Sequence, residues 1–357
     1  MLLGAVVAVG SHNQWASQDS ATPLDAAGDV HKPLLREPLE CIEIAGRSLV
    51  ERMVVGFAAV DMVVAVLVEA GTNLPKFRTA RENVTVEFVR DLSSAISQKV
   101  SDFSQQGIDH AFINCANTYT ETDLLDLFSF HRESRRRVTP TYDRQGPLAL
   151  WVVDCAKAED VPLETLLRDS RSNAASRYFI REYVTRLQEP RDLRQSASDM
   201  LRGRCQIGPS GREVRPGVWI DEDVEIHRRA RIVAPAYVGC GSKVRADALI
   251  TRFSNVERDC CIDCGTVVED SSILSGTTVG IWLDLCHAVA NGNKLLNLQR
   301  DVLVEISDPS VLCSTSASRK FVPSASRQRE PLQKVSDLQE QRPISGAWQL
   351  GNNLIQE

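Results

Sequence analysis

Asn117 and Asp154 are the residues whose type and place most readily do chemistry. Each follows an apolar run that reads as a buried strand, HAFIN (110–114) and LALWVV (148–153). Proteins built on an open α/β sheet bind their ligands outside the carboxyl ends of such strands. A carboxylate such as Asp154 is a hard oxygen donor suited to magnesium, and the neutral amide of Asn117 is a far weaker one. Each residue also has a plain reading, a surface acid and a loop asparagine, and both readings stay open at this point. Arg135-Arg136-Arg137 is a basic run able to meet phosphates. It also suits a solvated helix end, where cations interact favourably with the helix dipole. Cys261 and Cys264 form a Cys-x-x-Cys, the spacing of zinc and redox sites. No second Cys/His pair stands at metal-ligand spacing and both cysteines fall inside a repeat, so packing is their expected role.

The elements that must position these residues alternate between strand and helix patterns. GAVVAVG (4–10) is a β-branched strand ending in glycine, and the polar stretch 11–32 that follows is a long loop. Its apolar run has no basic residue before it, so a buried strand is expected there rather than a signal peptide. Gly46–Gly56 has helical spacing, MVVAVL (62–67) is a second buried strand, and Leu92–Gln105 puts Leu92, Ile96, Val100 and Phe103 on one helix face. Thr122–His131 reads as a helix capped by Thr122 or Thr120, with Asp123 in its first turn. The alternation predicts a Rossmann-like, mainly parallel sheet with helices on both faces over residues 1–160. A helix-rich connector is expected over 161–216.

Beyond it lies a repeat of another kind. Ile220, Ile226, Ile232, Val238, Val244, Ile250, Val256, Ile262, Val268 and Leu274 recur every six residues. Four residues after each sits a small or β-branched one, from Val224 and Ala230 to Ser272 and Thr278. Neither a helix nor an ordinary strand has a period of six. A triangular parallel β-helix does: each hexad lays one short strand, and three hexads close a turn. A β-helix with its cap is expected over 217–306, Ile281–Ile306 leaving the register to cover the open end. The Ser/Arg/Gln/Pro-rich stretch 307–357 is expected to be disordered.

Bulk properties narrow the function. With 357 residues and 43% hydrophobic content, the chain has enough material for two cores. A net charge of −6 argues against a nucleic-acid partner. No apolar stretch reaches the roughly 18 residues that span a bilayer. The ten scattered cysteines form no disulfide framework, which points to a reducing cytoplasm.

The order of an α/β unit and a hexapeptide β-helix resembles the sugar-1-phosphate nucleotidyltransferases. Three stretches add to the resemblance: Ile44-Ala45-Gly46-Arg47-Ser48-Leu49-Val50-Glu51-Arg52, Phe112–Tyr119, and Asp123 through His131. It implies a left-handed β-helix and a reaction joining a nucleoside triphosphate to a sugar 1-phosphate, with magnesium as cofactor and pyrophosphate released. Gly10 and Ser11 fall at the family's phosphate-cradling loop, Lys32 near its catalytic cation, and Asn117 at its magnesium-binding Asp, with Asp154 as a second metal ligand. The chain departs from the family at each of these places. Gly10-Ser11-His12-Asn13 replaces Gly-x-Gly-Thr-Arg, and Arg36-Glu37-Pro38-Leu39 sets a glutamate where the cation belongs. In Lys32-Pro33-Leu34 the lysine is present but displaced, and Asn117 stands for the Asp. Losing a cation or a metal carboxylate at a phosphoryl-transfer centre costs several kcal/mol of transition-state stabilisation. Two expectations follow from the resemblance: a nucleotidyltransferase with weakened turnover, or a regulatory subunit that binds a sugar nucleotide. Its partners would be a nucleoside triphosphate or nucleotide sugar, and a second copy or an active paralogue held through the β-helix. A different class is also open. Hexapeptide acyltransferases use a histidine on the β-helix as general base, and His227, directly after Ile226, is expected to point outward near a corner, with His287 a further candidate.

Overall fold

The computed structural model describes residues 2–10, 34–35, 37–74, 82–158, 165, 167, 177–315 and 332–333. The chain is a mixed α/β protein in which parallel strand pairs predominate and helices are few. Its first half is an open seven-stranded sheet of β1 (Leu3–Val9), β2 (Val63–Glu69), β3 (Val84–Val89), β4 (His110–Cys115), β5 (Val138–Asp143), β6 (Gly146–Asp154) and β7 (Tyr178–Phe179), in the order β7-β5-β6-β4-β1-β2-β3. β1 is buried along almost its whole length, which fits its unbroken apolar run. It pairs in parallel with β2 on one side and β4 on the other, and β2 pairs in parallel with β3.

Helices cover both faces. Residues Leu49, Val50, Met53, Val54 and Phe57 of α1 (Leu49–Ala59) pack with Ala5, Val7, Val64 and Val66 on one face. Leu92, Ile96, Val100 and Phe103 of α2 (Leu92–Gln105) pack with Val6, Ala8, Ala65 and Leu67 on the other. The caps are local: Ser48 Oγ accepts from Glu51 N at the start of α1, and Asp91 accepts from Ser93 N and Ser94 N at the start of α2. α3 runs Leu124–Ser134 and is capped by Asp123, whose side chain accepts from Leu125 N and Asp126 N. Asp123 is thus the cap itself rather than a first-turn residue, and neither threonine does that work. From 177 to 201 the segment expected to be helix-rich gives β7, a strand at Val184–Arg186, and only then α4 (Pro190–Leu201).

In the second half three sheets are visited in rotation, and each strand pairs in parallel with the one eighteen residues on. Ile220 stands beside Val238, Ile226 beside Val244, and Ile232 beside Ile250. The aliphatic residues from Ile220 to Val268 lie together in one buried core. Small polar residues stitch successive strands: Cys260 N donates to Ser242 Oγ (3.0 Å), Ser271 N to Ser254 Oγ (3.3 Å), and Leu283 N to Thr266 Oγ1 (3.2 Å).

The repeat slips by one residue after Val268 and again after Leu285, where Ala290 is next in the core. After Val268 the offset falls to seventeen, so Val256 faces Ile273, Ile262 faces Val279 and Val268 faces Leu285. Ile273, not Leu274, enters the core, and Leu274 packs outside it with Leu34, Val289 and Leu296. Ser271 and Thr277 accordingly take the bridging places expected of Ser272 and Thr278, receiving Ala288 N and Gly292 N. Parallel pairing continues to Ala288–Asn291, after which Lys294–Asn297 and Val302–Glu305 add antiparallel strands. Within the tail expected to lack order, Leu332–Gln333 pairs antiparallel with Glu225–His227.

A hairpin joins the two halves. Glu43–Ile44 and Arg47–Ser48 are connected by Ala45 and Gly46, both at positive φ (49° and 89°). Their amides donate to the carboxylate of Glu257, at 2.7 and 3.0 Å, and Asn255 Nδ2 donates to it at 2.6 Å. Arg52, 2% exposed, donates to the carbonyls of Ile44 (2.8 Å), Ala45 (3.3 Å) and Gly208 (3.2 Å). Gly46 is required: a Cβ there would lie 2.3 Å from the Tyr237 hydroxyl. The segment 44–52 therefore ties the sheet to the second half.

Candidate functional site

From β1 the chain moves outward to β2 and β3, then returns across β1 to β4. This reversal makes the carboxyl ends of β1 and β4 the topological switch point, the place where an open α/β sheet parts to admit a ligand. Gly10 follows β1 there, and Asn117 follows β4. They line one small cavity, of about 10 Å³, with Ala8, Glu40, Leu92, Ile96, Cys115 and Ala116. That is room for a single water molecule.

The electrostatics of this edge are acidic. Gly10 N donates to Glu40 Oε1 at 3.3 Å, and Glu40 is 5% exposed. The side chain of Glu69 crowds the same glycine: a Cβ on Gly10 would lie 2.6 Å from Glu69 Oε2. The nearby N-terminus of α2 is filled by its own cap, Asp91. Burial pushes the Glu40 carboxyl above the usual range, opposed by its own amide and that of Gly10. Among the described residues no Lys or Arg lines the cavity.

Asn117 is held by its backbone as much as by its side chain. Its carbonyl accepts from Leu187 N (2.7 Å) and its Oδ1 accepts from Thr118 Oγ1 (3.2 Å). Ser11 and Lys32 lie outside the described residues. Asp154 is not part of this site. β6 runs antiparallel to β4, pairing His110 with Asp154, so the carboxyl end of β6 lies at the opposite edge of the sheet. There Asp154 accepts from Lys157 Nζ at 2.5 Å. Asn117 and Asp154 therefore cannot share a metal ion. Among the described residues no three His, Cys, Asp or Glu side chains converge as a metal site, so the expected magnesium ligands do not fit.

No family model matches the chain, and no curated protein matches it. The functional reading rests on the geometry.

Cys261 lies on a second-half strand and Cys264 in the turn that follows it, both partly buried, with thiols that burial pushes up, so neither is poised as a thiolate. His227 is 5% exposed rather than outward-facing, because the strand Leu332–Gln333 runs alongside it, and its Nδ1 accepts from Arg229 N (3.2 Å). His287 is exposed, its Nδ1 2.5 Å from Asp270 Oδ2, and Asp270 also binds the buried Arg194. At the far edge of the sheet His131 Nδ1 meets Thr139 Oγ1 at 2.8 Å, and burial brings its pKa down to about 4. A larger cleft of about 880 Å³ opens between the 34–43 segment and the second half, where Glu43 pairs with Arg258 (2.6 Å). Sequence reasoning missed Glu40, Glu69 and Glu257. An acid within the apolar run Leu39-Glu40-Cys41-Ile42 was the one signal available for the first.

Proposed function

We propose that this chain is a divergent protein of the sugar-1-phosphate nucleotidyltransferase type that binds a nucleotide sugar at the switch point and has lost most or all turnover. Its second half, in this reading, is a left-handed β-helix that contacts another copy or an active paralogue in the cytoplasm. The observation that carries the reading is the meeting of Gly10 and Asn117. They come from separate motifs, and strand order alone brings them to one cavity at the place where α/β sheets bind nucleotides. The eighteen-residue offset within three sheets supports the β-helix.

The side chains favour binding over catalysis. Phosphoryl transfer needs cations where charge develops and a carboxylate on magnesium. At this site the lining carries Glu40 and the metal position carries Asn117. Of the two histidines considered for acyl transfer, His227 is buried, and the exposed His287 is paired with Asp270.

Thermal shift with nucleoside triphosphates and nucleotide sugars, with and without magnesium, tests the proposal. A ligand bound only by the folded chain at a hundred times its Kd stabilises by about 2.7 kcal/mol, a shift of several degrees. The expected result is a shift with a nucleotide sugar and no pyrophosphate released from triphosphate plus sugar 1-phosphate. Rapid pyrophosphate release would establish an active enzyme instead, and no shift with any ligand would remove the nucleotide reading.

A further inference from the structure

We propose that the Glu40 carboxyl occupies the phosphate place at Gly10, and that it sets the ligand class of the switch-point site by excluding a triphosphate in favour of the less charged nucleotide sugar. The inference rests on the nucleotide-site reading above. A backbone amide has one proton to donate, and that of Gly10 goes to Glu40 Oε1. A phosphate oxygen seeking the same proton would have to displace the carboxylate or lie beside it. Glu69 lies against the same glycine, its Oε2 within 2.6 Å of the position a Gly10 Cβ would take. A triphosphate would thus meet two carboxylates at the glycine that the resemblance assigns to cradling it.

The placement of Glu40 is built. It lies in the short 3-10 turn Leu39–Cys41, whose hydrogen bonds run from Cys41 N to Pro38 O (3.0 Å) and from Ile42 N to Leu39 O (3.1 Å). Around it the cavity wall is apolar: Ala8, Leu92, Ile96 and Ala116. Burying a carboxyl among such groups is unfavourable, and among the described residues no cation stands in the cavity wall to offset it. Its acceptor takes the Gly10 amide, which in the nucleotide-site reading a bound phosphate would use. The elevated pKa of Glu40 agrees with this apolar setting.

The test uses the full chain, with Glu40→Gln as the main variant and inorganic tripolyphosphate as the probe. Glu37→Gln, on the same segment, controls for a simple change in net charge. Tripolyphosphate is expected to raise the melting temperature of Glu40→Gln by several degrees and to leave the wild type and Glu37→Gln unmoved, an affinity gain of at least about tenfold. The Gly10 amide resonance should move on tripolyphosphate binding to the variant. Glu40→Asp, whose carboxylate is drawn back from Gly10, gives the same contrast if the glutamine variant does not fold. Equal shifts in wild type and variant, or none in either, would overturn the proposal. Nucleotide-sugar binding by the wild type is read separately. If it is present while Glu40→Gln gains no polyphosphate affinity, this inference fails and the nucleotide reading stands. The reverse pattern retains Glu40 as an anion plug and removes the nucleotide reading.

Discussion

Replacing Glu257 with Gln should remove a pH dependence that runs opposite to ordinary acid denaturation. Glu257 is fully buried, and burial pushes its pKa up to about 7 from the ordinary 4.5, with Glu43 adding to the rise and Asn255, Gly46 and Ala45 opposing it. A carboxyl whose folded pKa lies above its unfolded one binds more protons in the folded state. Its contribution is therefore full below about pH 4.5 and is lost as pH rises through 7. The pKa difference converts to about 3 kcal/mol between those limits, at 1.36 kcal/mol per unit. Glutamine cannot titrate. Its Oε1 can keep the bonds from Ala45 N and Asn255 Nδ2, while its amide faces Gly46 N and forfeits that bond, a loss of about 1–2 kcal/mol that does not change with pH. Urea unfolding of both proteins from pH 4.5 to 8 measures the effect. The stability of the wild type minus that of Glu257→Gln should fall by about 3 kcal/mol across this range. Parallel curves would refute the reasoning and mean that the three donors keep Glu257 ionised throughout.

His131 tilts stability the other way: its pKa of about 4, against 6.5 unfolded, means that it favours the folded chain above pH 6.5 and loses about 3 kcal/mol of that as pH falls through 4, so His131→Gln should flatten the acid limb of the same titration. Gly46→Ala should cost about 2 kcal/mol or more in denaturant unfolding, since its φ of +89° and the 2.3 Å approach of Tyr237 leave a Cβ no room. Thiol labelling of the native chain should modify the exposed Cys286 early and the buried Cys260 only on unfolding, read by mass spectrometry of the labelled peptides.

Much of the fold was legible because burial writes itself into periodicity. Leu92–Gln105 was readable at both ends from its apolar residues, which fall on one face. LALWVV was recognisable as a buried strand but not as an antiparallel one, because a strand covered on both faces is apolar throughout in either direction. That ambiguity moved Asp154 to the wrong edge. The slip after Val268 was hidden by chemistry: Ile273 and Leu274 are both aliphatic, so a count of six passes over a step of five without interruption. Glu257 was not legible at all, since what buries it is a hairpin more than two hundred residues away in sequence. The family-like stretch 44–52 was noticed, yet its Gly46 serves an approach to Tyr237 that a linear reading does not contain.

The chain uses one device twice: a buried carboxylate accepting from the backbone amide of a glycine. Glu257 accepts three hydrogen bonds of 2.6–3.0 Å, and the buried Arg52 guanidinium lies close enough to feel its charge. Removing such an acceptor strands two turn amides inside the protein, at about 1–3 kcal/mol each, so no ligand competes for that place. Among the described residues Glu40 accepts from Gly10 alone outside its own residue, at 3.3 Å, against a wall of aliphatic side chains. A longer, single bond to a desolvated carboxylate holds less firmly than a charge-assisted set of short ones. Of the two, Glu40 is therefore the carboxylate whose replacement should cost the fold less. It stands at the switch point, so the carboxylate that screens ligands is not the one that joins the halves.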